Sequence, residues 1–195
     1  MPTASTTRLR WLLPVLVVVI SVTVGGGLLA RELYRQPGGE PEPEATVAVS
    51  TPLAPSQQPG SPTVEFTPDA AAHPQETSIR RLLQTYFDAI NSRDYDRWKS
   101  TVTRQRVQAK PAEEWRDDYR TTRDGSILVY RIEPAPDRRL RVLVGFTSTQ
   151  DPRYAPPELP ETCIHWKLIW PLAQEGGQWK LDTLPAGSTS EATKC

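Results

Sequence analysis

Twenty residues without a formal charge, Trp11 to Ala30 (WLLPVLVVVISVTVGGGLLA), set the first constraint on this chain. At a rise of 1.5 Å per residue such a run spans roughly the 30 Å hydrocarbon core of a bilayer. Arg8 and Arg10 precede it, while Glu32 offsets one of Arg31 and Arg35 behind it. Basic residues close to a span favour the cytoplasmic side, so the short amino-terminal tail is predicted inside and the rest of the chain outside. A cleaved signal peptide has the same basic start but needs small residues at positions −3 and −1 of the cut. Cutting after Ala30 puts Leu28 at −3, and cutting after Gly26 puts Val24 there, so the pattern favours an uncleaved signal anchor over a cleaved one. The predicted localisation is the cell membrane, single-pass.

Composition changes abruptly behind the span. Prolines 37, 41, 43, 52, 55, 59, 62, 68 and 74 alternate with Ser, Thr, Gln and Ala, and the stretch from Pro37 to Glu76 carries acidic charges only. No periodic apolar face runs through it, and such a segment cannot bury enough surface to offset the entropy of ordering. The expected organisation is therefore a cytoplasmic tail over 1–10, a transmembrane signal anchor over 11–30, a disordered acidic linker over 31–76 and an extracytoplasmic domain over 77–195. That last stretch holds nineteen Lys and Arg against sixteen Asp and Glu. So mild a positive balance, outside the cytoplasm, gives no reason to expect nucleic acid.

Within 77–195 the apolar period is helical first. Ile79, Leu82, Leu83, Tyr86 and Ile90 form one stripe, with Thr77 or Ser78 as cap. Asn91-Ser92-Arg93 breaks the pattern, Asp94 caps a short helix with Tyr95 and Trp98, and AEEWRDDYRTT behind Pro111 reads as a third. After Gly125 the period becomes two. Ile127–Ile132, Leu140–Thr149, Cys163–Leu172 and Gln178–Leu184 read as strands, turned at Asp137-Arg138 and at Gly176-Gly177. Helices followed by an antiparallel meander make an α+β domain.

The succession AINSRDYDRW, AEEWRDDYRTT and GGQWKLDTL, with long strands between, resembles the nuclear transport factor 2-like superfamily over about Ser78 to Pro185. The resemblance implies a cone-shaped domain, three helices against a curved antiparallel sheet that wraps a pocket. It also points to membrane-tethered actinobacterial proteins, including those associated with mammalian-cell-entry transporters. Superfamily members include isomerases and dehydratases as well as binding and assembly modules. The layout therefore speaks to fold more than to activity.

Candidate chemistry is sparse. Along Cys163–Trp170, Ile164, Trp166, Leu168 and Trp170 share the apolar face, which turns Cys163, His165 and Lys167 away from any pocket. No general acid or base is found on the pocket side, so the sequence predicts a non-catalytic module. Tyr86, Trp115, Trp166 and Trp170 are the candidate pocket lining, with an open pocket and a filled core both compatible. Glu113, Glu114, Asp117 and Asp118 have cation-sharing spacing but sit where acids complement a helix dipole; no metal or cofactor is expected. The loop Asp151–Glu161 carries four prolines around Tyr154 and Leu159, and its stiff Tyr154, Pro156, Pro157 and Leu159 are the candidate partner-facing element. Two cysteines outside the cytoplasm predict a Cys163–Cys195 disulfide pinning the tail against the sheet face opposite Trp166, with an intermolecular link through Cys195 as the alternative. The expected activity is a membrane-held binding or interaction module for an unidentified protein or a small apolar ligand. An accessory subunit of a transporter or secretion assembly is the alternative, a pocket enzyme the second, and a homodimer stays open.

Overall fold

The helical stripe read from the sequence becomes the spine of the fold. In the computed structural model, which describes residues 53–184 and 191–195, helix α2 (Glu76–Ser92) buries Ile79, Leu82, Leu83, Tyr86, Phe87, Ala89 and Ile90. It starts one residue before Thr77, with Gln75 at the cap position and no side-chain cap. It ends at Arg93 in the left-handed conformation (φ 59°), where the break was expected. The predicted tail, the membrane span and the linker's first half lie outside the described residues. Among the described residues no helix is long and apolar enough to cross a membrane.

Three short helices follow: α3 (Tyr95–Lys99), α4 (Arg104–Ala109) and α5 (Ala112–Asp118). Asp94 accepts the Arg97 amide at 2.9 Å and Thr103 the Arg106 amide at 3.4 Å, so each of the first two is opened by its own side chain. Tyr95, Trp98 and Trp115 stack between α3 and α5, with neighbouring ring centroids 5.4 to 5.6 Å apart.

The sheet is built on three long strands, β2 (Arg123–Ala135), β3 (Arg139–Thr149) and β4 (Cys163–Glu175), in antiparallel order. Asp137 and Arg138 (φ 59° and 55°) and Gly176 and Gly177 (φ 58° and 77°) make the two tight turns with the left-handed pairs that match strand twist. Register shifts after Gly125 and Val129 bend β2, and the sheet curls into a half-barrel around α2.

Two expectations need correction. The linker was drawn to Glu76, yet β1 (Val64–Phe66) pairs with β2 in parallel, which makes the sheet mixed, and α1 (Pro68–Ala71) follows it. Val64 is 1 % exposed. The segment is held by groups far away in sequence: Gln84 accepts the Val64 amide (2.9 Å) and Arg80 donates to the Val64 carbonyl (2.8 Å). Ser126 donates its amide to the Ser61 carbonyl (2.8 Å), and Thr67 donates its hydroxyl to the Tyr130 carbonyl (2.7 Å). Gly125 permits this approach, since a Cβ there would stand 2.6 Å from the Gly60 carbonyl oxygen. Composition reports only what a segment buries by itself, and this one is ordered by donors and acceptors supplied by α2 and β2.

The second correction concerns the tail. Cys163 and Cys195 are disulfide-bonded, with Cα atoms 5.4 Å apart. The described part of the tail, residues 191–195, does not lie on a sheet face, however. It forms β6 (Glu191–Lys194), hydrogen-bonded to the edge of β4 beyond the short β5 (Gln178–Leu181). An extended tail meeting an open edge satisfies its backbone groups there, which a sheet face does not offer.

Candidate functional site

Curling the sheet around α2 leaves a cavity of about 410 Å³ between the concave face, α2, α4 and the end of α5. Alternation on β4 puts Trp166, Leu168 and Trp170 toward it, and Phe146 on β3 joins them. Tyr86 meets Trp170 edge-on at 5.2 Å, Phe146 lies 5.8 Å from Trp170, and Phe146 stacks with Trp166 at 6.3 Å. Three of the four predicted lining residues, Tyr86, Trp166 and Trp170, are thus brought together. Trp115 is not: it is fully buried among Tyr95, Trp98 and Tyr119 and belongs to the core behind the cavity. Trp115 and Tyr119, four residues apart at the end of α5, keep their ring centroids 5.1 Å apart. Only packing decides that Tyr119 is the one that reaches the cavity.

The candidate partner loop turns inward. Asp151 opens a 3-10 turn (Pro152–Tyr154) by accepting the Arg153 amide at 3.0 Å, and the Arg153 side chain holds its carboxyl down at about 2. Tyr154, Ala155, Pro156 and Pro157 then line the cavity mouth, while Leu159 is half-buried outside the lining. Arg120 donates to the Tyr154 hydroxyl at 2.9 Å and lies over its ring at 4.8 Å. The rim reaches solvent at Asp118, Pro157 and Leu184.

The cavity also holds a group that the sequence reading missed. Asp124 is 4 % exposed and lines it, accepting a hydrogen bond from the Ser148 hydroxyl at 2.6 Å. Burial pushes its carboxyl up to about 7, against the lowering effect of that hydrogen bond. The expectation that no acid faces the pocket is overturned. Strand β2 starts before Gly125, and the register pairs Asp124 with Ser148. Asn91 of α2 fixes the backbone there, accepting the Asp124 amide at 2.7 Å and donating to its carbonyl at 3.0 Å. The polar run Thr147-Ser148-Thr149-Gln150 at the end of a buried strand is the signal that something polar faces it.

Beside Asp124 stand Tyr119, Tyr86 and Arg106. Arg106 donates to the Tyr86 hydroxyl at 3.1 Å, and its guanidinium lies 5.5 Å from the Tyr86 ring centre. The adjacent Tyr86 phenol, with burial, holds Tyr119 well above the usual phenol range, so it stays a neutral donor. His165 faces away, paired with the Thr147 hydroxyl at 2.8 Å. Lys110 bridges Glu114 and Asp118, and among the described residues no group of carboxylates, cysteines or histidines is arranged to hold a metal ion. The arrangement is an aromatic trough with a small cluster of hydrogen-bond donors at one end.

Comparisons with protein-family models, with curated proteins and with solved structures give no significant match for this chain.

Proposed function

We propose that this protein is a membrane-anchored, extracytoplasmic binding module whose curled domain takes up a small, mostly apolar molecule. The observation that carries this reading is the cavity, of a size typical for small-ligand sites and walled by Tyr86, Phe146, Trp166 and Trp170 with a few convergent polar groups. The layout of helices and half-barrel is compatible with the cone of the nuclear transport factor 2-like superfamily, and the Trp11–Ala30 run supplies the anchor. The disulfide suits a compartment outside the cytoplasm.

The test is native mass spectrometry of the full chain released from its membrane. A retained mass that disappears in Trp166→Ala supports the reading. A bare chain, together with cross-links from the Tyr154–Leu159 loop to membrane proteins, would favour an accessory subunit instead.

One observation favours a second reading. A carboxyl poised near neutrality in a largely apolar cavity is suited to proton transfer. A pocket enzyme of isomerase or dehydratase type would use Asp124 in that role. Retained binding with lost turnover in Asp124→Asn would distinguish it from a passive binder.

A further inference from the structure

Charge around the cavity is unbalanced. Among the described residues, Arg106 is the one basic side chain that lines it, and it makes no ion pair. Its two hydrogen bonds go to neutral acceptors, the Tyr86 hydroxyl and the Asp182 backbone carbonyl at 3.5 Å. The Asp182 carboxylate is occupied elsewhere, by Arg139 at 2.6 Å and Thr103 at 3.0 Å. A guanidinium has five N–H donors, so Arg106 keeps donors to spare.

The two acids of the lining do not cancel this charge. Asp118 at the rim is paired with Lys110. Asp124 is buried and bonded to Ser148, and much of it is protonated at neutral pH. A positive charge without a carboxylate partner, half-buried beside an aromatic trough, is what a ligand of opposite charge completes.

Building on the binding reading above, we propose that the cavity selects an amphipathic organic acid, whose carboxylate pairs with Arg106 while its apolar body lies against Phe146, Trp166 and Trp170. The hydrogen bonds to the Tyr86 hydroxyl and the Asp182 carbonyl hold the guanidinium in place, so a two-point contact loses little side-chain freedom. A cationic amine is disfavoured by the same guanidinium, and a neutral molecule gains only the trough.

The experiment is calorimetric titration of the full chain in phospholipid nanodiscs, with empty nanodiscs as control. The probes are 1-naphthaleneacetate and its neutral isostere 1-naphthaleneacetamide. The acid is expected to bind about ten- to a hundredfold more tightly than the amide, the size of a charge-assisted contact. Arg106→Gln should bring that ratio near one, and Arg106→Lys should keep part of it. Equal affinities in the unaltered chain, or a ratio that survives Arg106→Gln, would overturn the charge selection while leaving the binding reading intact. Absence of binding by both probes would overturn the two together. Should Arg106→Gln not fold, the ratio in the unaltered chain decides alone.

Discussion

Ser148 donates its hydroxyl to Asp124 across the β2–β3 ladder at 2.6 Å, and this pair places the one buried acid that lines the cavity among the described residues. The carboxyl has to be protonated or pay for its desolvation, and Ser148 offsets only part of that cost.

A pH dependence of stability follows. In the unfolded chain Asp124 titrates near its ordinary 3.8, and in the folded chain near about 7. Between those values the folded state binds the extra proton, so stability declines as pH rises through that window and stays lower above it. The size is roughly 4 kcal/mol for the full shift. Asp124→Asn should flatten this dependence, measured by chemical denaturation at pH 5 and pH 8. The groups facing Asp124 are Ser148, Asn91, Tyr119, Tyr86 and Arg106, and none of these five is a carboxyl or a histidine. Affinity for an organic acid should fall as pH rises through about 7, where Asp124 of the folded chain ionises and repels it.

Trp115 and Trp166 should respond oppositely to truncation. Trp115→Ala opens a core cavity and should cost about 3 to 5 kcal/mol with loss of cooperative unfolding. Trp166, half-buried at the trough, should cost only about 1 to 2 kcal/mol as alanine while abolishing ligand retention. Paired denaturation and binding measurements separate the two roles.

Cys195→Ser removes the bond that closes a 32-residue separation. On the chain-entropy account the loss is roughly 3 to 4 kcal/mol. The β6 amides should then exchange with solvent faster while the β2–β3 amides keep their protection, which hydrogen-exchange mass spectrometry reads directly. Unchanged exchange in β6 would mean that backbone pairing with β4 holds the strand alone.

A chain begun at Thr77 should be markedly less stable than one begun at Thr51. It lacks Val64, β1 and α1, and leaves the edge of β2 and the polar ends of Gln84 and Arg80 without their partners. Denaturation midpoints of the two chains check this, and equal midpoints would show that the 53–76 segment is only draped on the domain.

Local pattern was enough to determine much of the fold. The stripe from Ile79 to Ile90, the break at Arg93, the Asp94 cap and both tight turns depend on neighbours within a few residues. So does the alternation that turns Trp166 and Trp170 inward and His165 outward, and two cysteines in one chain leave a single intramolecular pairing. Tertiary structure alone decided the rest. Val64 joins the sheet because Gln84 and Arg80, on a helix that follows it, supply its hydrogen-bond partners. Trp115 is core and Tyr119 cavity because α3 stacks on one side of α5. Asp124, which precedes the predicted strand Ile127–Ile132, becomes the buried acid because the β2–β3 register sets Ser148 opposite it, and burial, which no local window contains, moves its proton affinity to neutrality.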